Sequence, residues 1–252
     1  MFDSHAHYDD KAFDDDRHKI IKEVHNEGVE YILNAGCNID ASKVSIELSR
    51  KYDFIYSAVG IHPHDSERVE KNYIDILTTL SKNEKVVAIG EIGLDYHYDF
   101  SPRDVQKKVF IEQINLAKEL NLPTIVHDRE SHEDIINILE QEKPKIGIMH
   151  CYSGRYDLAK KVLKLGFYIG IGGPITFNNA KKAIEVVEKV PIEYILCETD
   201  CPYLTPVPFR GQRNDSRYVK YVIEKIAQIK NMDYEVTQKI LTNNAKRLFN
   251  II

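Results

Sequence analysis

The chain begins Met1-Phe2-Asp3-Ser4-His5-Ala6-His7, and residues 2–7 contain the pattern from which the fold can be derived. Phe2–His5 is short and largely apolar, which is typical of a strand buried on both faces of a parallel sheet. In extended chain, residues i and i+2 point the same way, so the imidazoles of His5 and His7 can face one ion. A lone His-x-His is a weak sign of a metal site, and its meaning depends on the other strands.

Seven further segments of the same kind follow along the chain. They are Tyr31–Ala35, Ile55–Gly60, Val86–Glu91, Thr124–His127, Ile146–His150, Phe167–Ile171 and Tyr194–Cys197. Between them the apolar period changes to that of a helix, and helices at about Asp215–Lys230 and Asp233–Phe249 close the chain. Eight strand–helix units of about 31 residues each match the usual size of a (β/α)8 barrel. An open doubly wound sheet has the same alternation and remains the rival.

Polar side chains follow the strands at their C-terminal ends. Seven of the ten histidines lie there, whereas His18, His25 and His132 fall on predicted helices, where a solvated face explains them. In a closed parallel barrel all strand C-termini meet at one mouth, whereas strands about 4.8 Å apart in an open sheet would keep them separate. We therefore predict an α/β fold in which residues 1–252 form a single TIM-barrel domain, with a metal site at the C-terminal mouth.

Six residues make up the predicted metal site: His5, His7, Glu91, His127, His150 and Asp200. Six buried polar groups in one layer would be costly without a ligand. Six ligands exceed the three protein ligands of a typical catalytic zinc site, and a carboxylate can bridge two ions, so the pattern favours two divalent metal ions. We assign His5, His7, Glu91 and Asp200 to one ion, and Glu91, His127 and His150 to the other. Mixed histidine and carboxylate ligands leave Mg, Mn and Zn open.

The composition is that of a soluble globular protein, since 43% of the residues are hydrophobic and 29% are charged. No stretch approaches the roughly 18 apolar residues of a membrane helix, so no membrane association is expected. Four scattered cysteines and a polar N-terminus favour a reducing cytoplasm. The net charge of −5 argues against wrapping long duplex DNA with a basic face, but it allows a local site for a strand end.

At the motif level the chain resembles the TatD family of metal-dependent deoxyribonucleases, within the amidohydrolase superfamily. The matching segments are Asp3–His7, Gly60–His64, Gly90–Tyr96, His127–Arg129, His150–Gly154, Glu198–Pro206 and Thr242–Phe249. Their ordered combination covers essentially the whole chain. Tyr152 stands where the family usually has Phe, and the segment Arg210–Ser216 lacks the usual proline after its acidic residue.

The resemblance implies 3′-to-5′ exonuclease activity on the 3′ ends of DNA, sometimes on RNA, with divalent metals at the six positions named above and no obligate protein partner. Some superfamily relatives bridge their metals with a carboxylated lysine on strand 4. Glu91 is already a carboxylate, which points to the nuclease branch. In the mechanism that we expect, Glu91 bridges the ions and Asp200 accepts a proton as general base.

Further residues at the mouth are candidates for contact with the substrate. They are His62, His64, Arg129, Ser153, Arg155 and Arg210, with Arg213 and three tyrosines, Tyr96, Tyr152 and Tyr203, as additional candidates. Arg129 lies two residues beyond His127 and can grip phosphate oxygens with paired donors. Tyrosines could stack on bases, although packing is the favoured role of Tyr203 between Pro202 and Pro206. Glu198 is expected to hold a histidine N–H from behind.

Two other functions remain open from the residues alone. The same metal chemistry could attack a carbonyl, as in an amide or ester hydrolase such as one that removes D-amino acids from tRNA. The second is a non-catalytic scaffold on a degenerate barrel, against which the complete ligand set argues. Product analysis distinguishes the hydrolases, because one releases mononucleotides and the other free amino acids.

Overall fold

Eight parallel strands and nine α-helices alternate along the chain in the computed structural model, which describes residues 1–251. The strands are β1 (Phe2–Ala6), β2 (Tyr31–Ala35), β3 (Ile55–Val59), β4 (Val86–Asp95), β5 (Thr124–Arg129), β6 (Gly147–Met149), β7 (Phe167–Ile171) and β8 (Ile195–Cys197). The helices are α1 (Arg17–Asn26), α2 (Ile39–Lys51), α3 (Tyr73–Leu80), α4 (Arg103–Leu120), α5 (His132–Glu142), α6 (Tyr156–Lys164), α7 (Lys181–Lys189), α8 (Val219–Lys230) and α9 (Tyr234–Leu248). All eight predicted strands are present.

The strands pair in sequence order from β1 to β8, and every neighbouring pair is parallel. The last strand returns to the first, because Ser4 Oγ donates to the carbonyl of Cys197 at 3.0 Å and Thr199 N donates to Asp3 Oδ1 at 2.9 Å. The sheet is therefore a (β/α)8 TIM barrel, as predicted, and the open-sheet alternative is excluded. That residues 1–252 form a single domain stays a prediction, and Ile252 lies outside the described residues.

Two layers of apolar side chains hold the barrel together. The inner layer fills the barrel with one residue from each strand, and α9 and the residues after it close its N-terminal end. Its strand members are Phe2, Leu33, Ala58, Ala88, Ile125, Ile148, Tyr168 and Leu196. The outer layer packs the apolar stripes of the helices against the sheet. Within residues 1–251, no helix is both long enough and apolar enough to cross a membrane.

β4 differs most from its prediction, because it continues four residues beyond Glu91 to Asp95. Gly93 permits this extension: its φ is 144°, and a Cβ built there would lie 2.0 Å from the carbonyl oxygen of His127 on β5. Only glycine tolerates so close an approach of two backbones at such a φ. Glu91 therefore lies inside a long strand, and the strand end carries a further carboxylate, Asp95.

Candidate metal centre

The interior of the barrel changes from apolar to polar toward the C-terminal ends of the strands. Side chains on one face of a strand recur every second residue, so His127 follows Ile125 and His150 follows Ile148 on the inner face. The same alternation leads from Leu196 in β8 to Glu198 just after the strand, and Asp200 follows in the segment beyond β8. The site therefore lies directly above the inner apolar layer.

Irregularities in the pairing of β1 and β4 determine which of their side chains face the interior of the barrel. The pairing of β4 with β5 shifts register between Ile89 and Ile92, and that of β1 with β2 shifts between Asp3 and Ala6. Ile89 and Ile92 both belong to the outer layer, so the extra residue between them turns Glu91 inward. Regular alternation from Ala88 would have pointed Glu91 at the helices.

A first cluster of donor atoms joins β1 to the segment after β8. His5 Nε2 and His7 Nε2 lie 3.0 Å apart, and His7 Nε2 lies 3.3 Å from Asp200 Oδ1. Glu91 Oε2 is 3.3 Å from His5 Nε2 and 3.5 Å from His7 Nε2. These four residues are the ones that the sequence assigns to one ion.

A second cluster uses the other oxygen of the same carboxylate. Glu91 Oε1 lies 2.8 Å from His127 Nδ1 and 2.9 Å from His150 Nε2, and these two nitrogens are 3.3 Å apart. His62 Nε2 approaches the same oxygen at 3.6 Å. The structure thus places Glu91 between two sets of imidazoles, with one oxygen toward each.

Both acidic groups of the site are ionised at neutral pH. Burial by itself raises the pKa of Glu91, but the imidazoles around it, led by His150, outweigh burial and hold the pKa well below its ordinary value. Burial likewise raises the pKa of Asp200, and the hydrogen bond with His7 and the neighbouring imidazoles outweigh it and lower the pKa. Two buried negative charges therefore face a set of histidine nitrogens.

The hydrogen bonds of His7 test whether these residues fit a metal ion. His7 Nδ1 lies 2.9 Å from the carbonyl oxygen of Ala35, which only accepts, so Nδ1 carries the proton. Nε2 therefore carries only the second, exchangeable ring proton on the side that faces Glu91 and Asp200. A divalent cation can replace that proton and would hold Nε2 and the two carboxylates together. Donor separations of 3.0–3.5 Å also resemble the edges, roughly 3.4 Å, of a tetrahedron of ligands around a zinc-like ion. The donor set fits divalent ions.

Carboxylates behind the cluster orient two of its histidines. Asp95 Oδ2 lies 3.4 Å from His127 Nε2, on the side of the ring away from Glu91. Glu198 Oε1 lies 3.5 Å from His150 Nδ1, where the sequence places a carboxylate behind a histidine. Such partners fix the tautomer and ring orientation of a metal-binding histidine. Asp95 was not singled out from the sequence, although a carboxylate four residues after Glu91 on the same strand could have indicated it.

Cys37 is a second neighbour of the cluster that the sequence pattern did not indicate. Its Sγ lies 3.7 Å from Glu91 Oε2 and 3.6 Å from His7 Nδ1. Burial raises the pKa of this thiol to about 12, so it is protonated at neutral pH. Its position after β2 was a clue, because every polar residue after a barrel strand lies near the mouth.

Comparison with known proteins gives the family. Residues 2–250 match the model of the family described as TatD related DNase. The chain is 48% identical to the uncharacterized metal-dependent hydrolase YabD of Bacillus subtilis, over 100% of this chain and 99% of YabD. It is 33% identical to the 3′-5′ ssDNA/RNA exonuclease TatD of Escherichia fergusonii, again over 100% and 99%. The crystal structure of the TatD homologue YJJV from Escherichia coli K12 superposes with a TM-score of 0.95 at 30% identity, covering 100% of this chain and 98% of that one.

The chain belongs to the TatD family. It is therefore a metal-dependent hydrolase on a TIM barrel, and the resemblance seen in the sequence motifs is confirmed. Four groups of histidine, cysteine and carboxylate side chains in the described part of the chain are close enough to hold an ion, and Glu91 takes part in three of them. The number and identity of the ions stay predictions.

Two histidines after β3 lie beside the second cluster of this TatD-family chain. His62 is buried, and its Nδ1 accepts from the backbone N–H of His64 at 3.2 Å. The neutral ring therefore carries its proton on Nε2, which faces Glu91. His64 Nε2 lies 2.8 Å from Asp95 Oδ2. One carboxylate thus contacts both His64 and His127.

The other predicted substrate residues lie on the rim. Arg129 ends β5, and its guanidinium lies 4.7 Å from the ring centre of Tyr98. Ser153 and Arg155 are exposed on the loop before α6, and the guanidinium of Arg210 lies 3.8 Å from the ring centre of Phe177. All four are accessible from the mouth side of the barrel, and their contact with substrate stays a prediction.

Four of the additional substrate candidates make contacts, or have an exposure, that the sequence did not indicate. Arg213 forms a bidentate pair with Asp16 at 2.6 and 2.9 Å. Tyr152 is buried, and its hydroxyl donates a hydrogen bond to the carbonyl oxygen of Arg155. The hydroxyl of Tyr96 donates to Asp134. Packing was favoured for Tyr203, but its side chain is 53% exposed and its hydroxyl donates to Asp10 at 2.7 Å.

Proposed function

We propose that the chain is a metal-dependent deoxyribonuclease that removes nucleotides from the 3′ ends of single-stranded DNA, and that RNA is a second substrate. The position of Glu91 carries the proposal, because its two oxygens face two separate sets of histidine nitrogens at 2.8–3.5 Å. Two ions shared by one carboxylate are a recurring arrangement for phosphodiester hydrolysis. The name of the Escherichia fergusonii relative supports the polarity and the single-stranded substrate.

The six predicted ligands would hold the ions in two sets. His5, His7, Glu91 and Asp200 form the proposed first set, and Glu91, His127 and His150 form the proposed second set. Divalent ions held there would lower the pKa of bound water and would offset the charge of a phosphodiester. Asp95 and Glu198 lie behind the rings of His127 and His150, where each could accept the proton of the nitrogen that faces away from Glu91.

Asp200 is the proposed proton acceptor. It is the most accessible carboxylate of the first cluster, and its lowered pKa keeps it ionised at neutral pH. His62 is the proposed donor to a phosphoryl oxygen, because its Nε2 carries the proton in the neutral ring and points into the site. In this proposal Asp200, which follows β8, accepts a proton, and His62, which follows β3, donates a hydrogen bond to the same phosphodiester.

Rim residues complete the proposed substrate site. Arg129 extends beyond His127 on β5 and can bind phosphate oxygens of the strand, together with His64, Ser153, Arg155 and Arg210. A local set of cations on a chain of net charge −5 suits a strand end better than a long duplex. The cytoplasmic location and the absence of an obligate protein partner stay predictions.

The test is the shortening of a labelled strand by metal-stripped protein. A single strand labelled at its 5′ end is incubated with chelator-treated protein, and Mg²⁺, Mn²⁺ or Zn²⁺ is added back separately. We expect a ladder that shortens from the unlabelled end and the appearance of 5′-mononucleotides. Glu91→Gln should abolish the ladder, whereas Glu119→Gln, on the exposed face of α4, should leave it unchanged.

A strand left intact with every metal would contradict the proposal. Release of free D-amino acid from charged tRNA by the same samples would then assign the site to the carbonyl-hydrolase alternative.

A further inference from the structure

Exposed apolar side chains are concentrated at the mouth of the barrel. Of the seven large ones in residues 1–251, five lie on the loops after β4 and β8: Tyr98, Phe100, Tyr203, Leu204 and Val207. Phe100 is 62% exposed and Tyr98 is 47% exposed. Apolar groups clustered beside a catalytic site, where burial would be favourable, indicate a surface that a ligand covers.

Tyr98 and Phe100 already stack on each other. Their ring centres are 5.2 Å apart and their planes differ by 21°. We call these two residues the rim aromatic pair. The two rings together form a partly exposed aromatic surface, led by Phe100, of the kind on which proteins stack nucleobases.

A chain of contacts connects the rim aromatic pair to the metal centre. The ring of His64 meets Phe100 edge-on at 4.8 Å and Tyr98 edge-on at 5.4 Å between ring centres. The same imidazole bonds to Asp95, which contacts His127. Three contacts therefore connect the rim aromatic pair to His127, a predicted metal ligand.

Asp95 also fixes the loop that carries the rim aromatic pair. Its Oδ1 accepts from the backbone N–H groups of His97 and Tyr98 at 2.9 and 3.0 Å. A base stacked on the rim aromatic pair would thus meet a surface that is already ordered, at little further entropic cost.

Charge beside the rim aromatic pair suits a nucleic acid strand. The guanidinium of Arg129 lies over the ring of Tyr98, and no carboxylate in the described residues pairs with it. Of the nearby acidic groups, Asp99 forms an ion pair with Arg103, and Glu130 lies 2.9 Å from His97 Nδ1. An aromatic face next to an unpaired guanidinium can take a base and its phosphate together.

From these contacts we infer that Tyr98 and Phe100 stack the unpaired terminal base at the 3′ end of a single strand and so position its terminal phosphodiester at the metal centre. The inference rests on the proposed nuclease function and adds the reason for a preference for single strands. Bases in a duplex are stacked on one another and have no free face to offer.

The test compares two substrates on matched variants. One 5′-labelled strand ends in a normal nucleotide, and the other ends in an abasic tetrahydrofuran residue. We expect Phe100→Ala and Tyr98→Ala each to lower kcat/KM for the normal end by about 5- to 150-fold, the range for loss of one stacked base. On the abasic end the same substitutions should change kcat/KM by less than about two-fold. Phe100→Trp should retain the normal rate, and Tyr194→Ala, exposed next to the opposite end of β8, is the control.

The remaining outcomes are distinguishable from one another. Equal losses on the normal and the abasic end would overturn the inference, and a dimer that dissociates in the alanine variants would assign the rim aromatic pair to self-association instead. Normal rates in both alanine variants would also overturn it, while the nuclease function would stand. Failure of the unmodified protein to shorten either strand would overturn the proposed function and the inference with it.

Discussion

Glu91 turns its two carboxylate oxygens toward different partners, with Oε2 near His5 and His7 and Oε1 near His127 and His150. A buried carboxylate loses its hydration, which costs several kcal/mol unless charge or hydrogen bonds replace the water. Here the compensation comes from imidazoles and from the Cys37 thiol. Three of the rings have an acceptor beside the nitrogen that faces away from Glu91: the carbonyl of Ala35 for His7, Asp95 for His127 and Glu198 for His150. Divalent cations would fit between Glu91 and these rings, because each ring could keep its outer proton.

Asp200 gives a prediction at the same scale. Its φ of 57° lies in the left-handed region, which asparagine also tolerates, so Asp200→Asn removes the charge without backbone strain. We expect kcat to fall by about 100- to 10,000-fold, the range for loss of a general base, while the Kd for a single strand changes far less. Single-turnover rates, Kd values and bound metal should be measured on the same sample.

Asp10→Asn is the matched control, since Asp10 bonds to Tyr203 on the neighbouring loop and does not reach the cluster. Comparable losses in kcat and in strand affinity for Asp200→Asn would count against its role as base. Loss of bound metal in proportion to activity would make Asp200 a ligand only.

Strand β4 shows what sequence could and could not predict among the elements. The strand itself, its place beside β5 and the choice of Glu91 as a candidate ligand follow from apolar runs and from polar residues at strand ends. The bulge between Ile89 and Ile92 and the extension to Asp95 do not, because both depend on how two backbones meet. Asp95 and the rim aromatic pair were not predicted from the sequence, because their positions depend on the extension of β4.

Gly93 gives a prediction at the scale of the element. An added Cβ would meet the carbonyl oxygen of His127 at 2.0 Å with φ at 144°, so Gly93→Ala should force β4 and β5 apart. We expect a loss of roughly 3 kcal/mol or more in the free energy of unfolding, measured by urea titration.

Gly211→Ala separates the steric effect from backbone conformation. Gly211 also has a positive φ, 88°, but nothing lies within 4 Å of an added Cβ. The substitution should cost only about 1–2 kcal/mol. Equal losses for the two glycines would show that the contact between β4 and β5 is not responsible.

At the scale of the whole molecule, closure of the barrel brings residues as far apart in sequence as His5 and Asp200 into one site. Alternation along each strand places apolar side chains below and polar ones above, so one pattern produces both the core and the site. The barrel and the position of its polar residues can be predicted from the sequence, because they depend only on the number of strands and on the alternation of side chains along each strand. The arrangement of the rim cannot be predicted in this way, because loops such as the one carrying Tyr203 take their shape from tertiary contacts.

The central claim is that one carboxylate holds two ions, and anomalous diffraction tests it most directly. Crystals of the chain grown with Mn²⁺ should give two anomalous peaks on either side of the Glu91 carboxylate, about 3.5–4 Å apart. One peak should lie beside His5, His7 and Asp200, and the other beside His127 and His150. A single peak away from Glu91, or no peak among these residues at saturating Mn²⁺, would contradict the account.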